Sequence, residues 1–60
     1  MFEVNQIIVE NSTRLKYTVL HRNIDNITVV AHYVNAIPFT IHVTYAKENY
    51  EIVEITEEGK

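Results

Sequence analysis

The chain has 60 residues and a formal net charge of −3; it contains no cysteine, and its one glycine is Gly59. A chain this short forms one domain, and without cysteine its stability has to come from apolar packing rather than from disulfides or a thiolate-bound zinc. The acidic balance disfavours general nucleic-acid binding, and a lone glycine at the end of the chain excludes a glycine-rich phosphate loop.

Residues branched at Cβ dominate the composition. Sixteen residues are Val or Ile and six are Thr, whereas Leu occurs twice and Ala three times. Such side chains lose rotamer freedom in a helix but pack well on a pleated sheet. The composition therefore predicts an all-β fold in one domain over residues 1–60, with the tail 57–60 frayed.

Asparagine-containing segments divide the chain into five runs, because Asn tolerates the left-handed conformation and bonds nearby backbone. These turns lie at residues 11–12, 23–26, 35–36 and 48–49. We predict strands over residues 2–10, 14–22, 27–35, 38–46 and 50–56. Five short strands at this spacing indicate a single small antiparallel sheet or a partly closed five-stranded barrel.

The first three runs differ in their apolar patterns. In the first run the parity breaks between Val4 and Ile8, which is typical of a bulge or of a strand bending between two sheets. The second run alternates Tyr17 and Val19 with polar residues, so it has one solvated face. The third run, 27–34, mixes both parities and is the expected core strand. A small barrel accommodates these features better than a flat sheet.

The fourth run alternates apolar and polar residues from residue 37 to residue 46, which predicts a half-buried strand. In the last run, Ala46, Tyr50 and Val53 recur at helical spacing, so a C-terminal helix is an alternative there. The β-branched density of this run favours a strand, because Ile52 would fall off the apolar face of a helix.

Histidine is the residue type that suggests metal or acid–base chemistry, and His21, His32 and His42 lie on three successive runs. If the hairpin between the third and fourth runs closes through residues 36–38, His32 faces His42 across the strands. Zinc would need one or two further ligands, and no typical zinc-ligand spacing supplies them. We predict no metal site and no cofactor.

Catalytic chemistry has no support in the residue pattern. A nucleophile such as Ser12 needs a base, an orienting group and a pocket. Ser12 lies in a predicted turn, where its hydroxyl is expected to hydrogen-bond to the backbone. A chain of this size also has little room for a pocket. We predict that the protein is not an enzyme and has no catalytic residues.

Aromatic side chains and open strand edges suggest binding instead. The predicted partner-binding residues are Tyr17, Tyr33, Tyr45, Tyr50 and Phe39, because half-buried rings offer a large contact area at small entropic cost. With 47% hydrophobic residues, the chain also has much apolar surface to cover. We predict a small protein-interaction module that inhibits or adapts a larger protein and associates with itself as a homodimer or higher oligomer.

Weak binding of single-stranded nucleic acid by a small barrel is the alternative function. Arg14, Lys16 and Arg22 form a candidate basic strip, with Tyr17 and Tyr33 available to stack on bases. Three cations neutralise few phosphates, so nucleic acid is the less favoured partner.

The sequence also bears on where the protein is located and on which small folds it resembles. The first residues lack a basic stretch followed by an apolar run, and no segment approaches about 18 consecutive apolar residues. We therefore expect a cytoplasmic protein with no signal peptide, no transmembrane segment and no membrane partner. In size the chain resembles SH3-like and OB-like barrels, whose ligand-binding patterns are not legible in it.

Overall fold

The β-branched runs form one antiparallel sheet, which curls into a half-barrel and carries one short helix. The computed structural model describes residues 2–53. The elements are β1 (Ile7–Glu10), β2 (Lys16–Arg22), β3 (Asn26–Ala31), β4 (Phe39–His42), α1 (Val43–Asn49) and β5 (Tyr50–Ile52). The strand order is β4-β3-β2-β1-β5. The all-β prediction is confirmed; the predicted frayed tail, 57–60, and the end of the fifth run, 54–56, lie outside the described residues.

The inner face of the sheet holds the core. Cross-strand partners on this face include Ile8 with Tyr17 and Val19 with Val29, and three of these four side chains have no exposed surface. The core consists of Phe2, Ile8, Tyr17, Val19, Ile27, Val29, Ala31, Ala46 and Tyr50. β2 occupies the centre of the sheet, and β3, the expected core strand, lies between β2 and β4.

The parity break in the first run comes from a turn and not from a bulge. The N–H of Gln6 donates to the carbonyl of Glu3 at 3.0 Å, and Asn5 has a φ of 74°. β1 therefore begins only at Ile7. The irregularity of the sheet lies in β2, where Val19 pairs with Val29 but the next pair joins His21 to Thr28. An extra residue at this point shifts the alternation of β2.

The predicted fourth strand is wrong after His42, because residues 43–46 begin α1. The Nδ1 of His42 accepts a hydrogen bond from the N–H of Thr44 at 3.1 Å and so caps the helix. Ala46 is completely buried among the core residues. Its small side chain allows the helix to lie close against the sheet. The alternation is compatible with a strand, but packing of this helix against the core decides the structure.

The two ends of α1 are bonded to opposite ends of the sheet. The N–H of Val43 donates to the carbonyl of Asp25, in the β2–β3 turn, at 2.8 Å. The N–H of Asn11, in the β1–β2 turn, donates to the carbonyl of Asn49 at 2.9 Å. The helix therefore crosses the open side of the half-barrel between the two edge strands, β4 and β5.

Asparagine forms the turns in two ways. The Oδ1 of Asn23 accepts hydrogen bonds from the N–H groups of Asp25 and Asn26 at 3.0 and 2.9 Å, as predicted for the second turn. Asn35 adopts a φ of 64° in the loop between β3 and β4. The predicted break at 48–49 is the end of α1, from which β5 follows directly.

Candidate functional site

Two cavities border the helix, because residues of α1 line both of them. The larger, with a volume of about 560 Å³, is lined by Glu10, Tyr17, Phe39, Ile41, His42, Tyr45 and Tyr50. The other, of about 470 Å³, is lined by Phe2, Arg22, Asn23, Ile24, Ile27, Val43 and Lys47. Four of the six aromatic residues of the chain meet in the larger cavity. We call Tyr17, Phe39, Tyr45, Tyr50 and Glu10 the aromatic cup.

The rings of the cup pack edge to face. The ring centroids of Tyr17 and Phe39 lie 5.8 Å apart at 87°, and those of Tyr17 and Tyr50 lie 5.5 Å apart at 74°. Tyr45 adds a third contact to Tyr50 at 6.3 Å and 60°. Such arrangements place the positive edge of one ring against the negative face of the next.

Burial differs between the base and the walls of the cup. Tyr17 and Tyr50 are 7% and 6% exposed, whereas Phe39 and Tyr45 are 42% and 49% exposed. The first two rings therefore belong to the core and hold the geometry. The other two present apolar surface to solvent, where it is available for contact with a ligand.

Strand pairing places the residues of the cup. Glu10 lies directly opposite Tyr50 across β1 and β5, and Phe39 lies opposite Val29 across β4 and β3. Tyr45 comes from α1. The cup thus draws on both edge strands and on the helix between them, so it exists only when all three are in place.

Glu10 supplies the negative charge of the cup. Its Oε1 accepts hydrogen bonds from the hydroxyl of Thr13 at 2.9 Å and from that of Tyr17 at 3.4 Å. Burial, and then the charge of Glu10, raises the pKa of Tyr50 to about 12. The same two causes, in the same order, raise the pKa of Tyr17. Both phenols remain neutral near pH 7, and the cup carries the charge of one carboxylate.

The structure brings together four of the five predicted partner-binding residues, namely Tyr17, Phe39, Tyr45 and Tyr50. Tyr33 lies in loop 32–38 and is 60% exposed. It is close enough to Tyr17 to contribute to the raised pKa of that phenol. Sequence reasoning missed Glu10, whose place in the cup follows from the pairing of β1 with β5.

The basic strip is dispersed over the sheet. Arg14 lies in the β1–β2 turn, and Lys16 and Arg22 lie at opposite ends of β2, about 20 Å apart along the strand. Lys16 pairs with Val9, whereas Arg22 pairs with the core residue Ile27. The three side chains do not form one surface.

His32 and His42 do not face each other, because the hairpin does not close through residues 36–38. His42 pairs with Asn26, because the loop between β3 and β4 spans residues 32–38 rather than 36–38. The Nε2 of His32 instead lies 2.6 Å from the hydroxyl of Thr18. Within residues 2–53, no group of three or more His, Cys, Asp or Glu side chains is placed to hold a metal ion.

Comparison with protein-family models, with curated proteins and with solved structures found no significant match to this chain. Residues 2–53 contain no helix with the length and apolarity that crossing a membrane requires.

Proposed function

We propose that the protein is a non-enzymatic interaction module whose aromatic cup binds a segment of a larger protein. The observation that carries the proposal is the convergence of four aromatic rings around one open cavity. Tyr17 and Tyr50 form a rigid base, and Phe39 and Tyr45 expose close to half of their surface. Aromatic side chains held in this way contribute strongly to protein interfaces.

Loop 32–38 supplies further apolar surface at the same end of the sheet. β3 ends at Ala31, which lies opposite Tyr17, and β4 begins at Phe39, so the loop that joins them borders the cup. Within this loop Val34 is 83% exposed and Ile37 is 79% exposed. Exposed apolar side chains grouped beside a cavity support a protein partner, because their burial favours association.

The edge strand β4 offers backbone groups next to the cup. In the described part of the chain β4 pairs with β3 alone, so its other side is open to an extended segment. A partner strand could hydrogen-bond to this edge while its side chains enter the cup. Pro38 immediately precedes β4 and limits such pairing to the strand itself. By occupying a surface of the partner in this way, the module would inhibit or adapt it.

Selection from a phage-displayed library of random peptides tests this proposal. We expect peptides that bind the wild-type protein and lose at least tenfold in affinity for Tyr45→Ala. Ile24→Ala is the matched control, because Ile24 is exposed but lines the other cavity. Circular dichroism of both variants verifies that each one folds.

Two results contradict the proposal. One is the absence of any enriched peptide; the other is a set of peptides that bind Tyr45→Ala as well as they bind the wild type. Light scattering over a range of protein concentrations measures self-association in parallel. Apolar side chains of loop 32–38 would also be covered in a homodimer, so Val34→Asp should weaken any dimer that forms.

A further inference from the structure

We infer that the aromatic cup binds the guanidinium group of an arginine side chain presented by the partner. This inference depends on the proposed function, because it names the chemistry that the partner segment brings to the cup. In the wall of the cavity, Glu10 is the one side chain with a formal charge.

The rings of the cup favour a cation. An aromatic ring has a negative face, and a cation within about 6 Å of the ring centroid is attracted to it. Neighbouring rings in the cup lie at 60° to 87° to one another. The rings are therefore oriented in several directions around one space. Phe39 and Tyr45 are 42% and 49% exposed, so part of each residue is accessible to an entering group.

The electrostatic potential in the cup is negative, and it therefore also favours a cation. After burial, the charge of Glu10 is the next cause that raises the pKa of both Tyr17 and Tyr50, because a phenolate would be repelled there. The field that disfavours a phenolate attracts a cation. His42 also lines the cavity, where its Nδ1 accepts a hydrogen bond from the N–H of Thr44.

The second carboxylate oxygen of Glu10, Oε2, can accept a hydrogen bond from a ligand. Its hydrogen bonds with Thr13 and Tyr17 both involve Oε1. A guanidinium presents a planar fork of N–H donors, which can reach Oε2 while the plane of the group stacks on a ring. An ammonium group is more strongly hydrated and lacks this planar surface, so arginine suits the cup better than lysine.

The test is an NMR titration of the full chain with three blocked peptides, acetyl-Gly-X-Gly-amide, in which X is arginine, citrulline or trimethyl-lysine. Citrulline has nearly the shape of arginine without its charge. We expect the arginine peptide to shift the ring resonances of Tyr17, Tyr45 and Tyr50 saturably. It should bind about tenfold more tightly than the citrulline peptide, and added salt should weaken it.

Glu10→Gln is the decisive variant, because it removes the charge and retains an oxygen that can accept from Tyr17. We expect the preference for arginine over citrulline to fall to less than threefold. Glu51→Gln is the matched control, since Glu51 is exposed and pairs with Val9 on the opposite face of the sheet. It removes the same charge and should leave the preference unchanged.

Four outcomes overturn the inference. These are equal binding of arginine and citrulline, tighter binding of trimethyl-lysine, binding of none of the peptides, and ring shifts that follow protein concentration without a peptide, which would place a second copy in the cup. The peptide selection fails separately from this test. Library peptides that bind the cup without arginine would support the proposed function and contradict this inference alone.

Discussion

Ala46 provides the sharpest test of how the helix is held, and we expect Ala46→Gly to destabilise the protein by about 2 kcal/mol. A helix of seven residues is marginal on its own in water, so α1 must depend on packing. Ala46 has no exposed surface. Loss of one buried methyl group costs about 0.8 kcal/mol, and glycine in a helix costs about 1 kcal/mol more than alanine.

This loss is large for so small a domain. A core of this size rarely supplies more than about 3–5 kcal/mol, and each kcal/mol moves the melting temperature by about 4–8 °C. We therefore expect Ala46→Gly to lower Tm by about 8–16 °C. Urea unfolding followed by circular dichroism at 25 °C measures the free energy of unfolding directly.

Glu48→Gly is the matched control for this prediction. Glu48 is an exposed residue of the same helix, so its replacement changes helix propensity without removing buried surface. We expect a cost of about 0.5–1 kcal/mol. If the two variants lose the same free energy of unfolding, then packing of Ala46 does not hold α1, and the argument for the position of the helix fails.

Two further predictions concern Tyr50 and Arg14. The pKa of Tyr50 is about 12 in the folded chain against 10.0 ordinarily, so its contribution to stability is complete below pH 10 and is lost as pH rises from 10 to 12. Between pH 9 and pH 11, the free energy of unfolding measured with urea should fall less in Tyr50→Phe than in the wild type. An equal fall in both proteins would contradict the raised pKa of Tyr50. Arg14 has a φ of 63°, which glycine adopts without steric cost, so Arg14→Gly should raise stability by about 0.5–1 kcal/mol. A lower Tm for Arg14→Gly than for the wild type would refute this reasoning.

The sheet could be predicted from local patterns, whereas its register could not. Alternation and β-branched content predict most strand positions, and Asn23 forms its turn through bonds to nearby backbone. The local sequence does not determine where β4 ends, because residues 43–46 are compatible with both a strand and a short helix. The pairing of His42 with Asn26 depends on how much of segment 32–38 remains a loop. No residue type in that segment determines its length.

For the candidate site too, the sequence indicates which residue types are involved but not where the fold places them. The aromatic members of the cup could be named from their chemistry alone, since rings are frequent at interfaces. Glu10 could not be named, because its role requires β1 to lie beside β5. The separation of Lys16 from Arg22 likewise follows from their positions at the two ends of one strand. The number and sign of the charged residues do not predict how far apart the strand places them.

The pairing of β5 with β1 has a consequence for the order in which the chain folds. β1 to β4 join by short connections, but Tyr50 meets Glu10 only after about 40 positions of chain have closed into a loop. Contacts of such long range form late, so we expect the cup to be completed near the end of folding. A ligand that bridges Glu10 and Tyr45 would then slow unfolding and leave the refolding rate nearly unchanged. Occupancy of the cup would thereby lengthen the lifetime of the folded chain as well as recruit a partner.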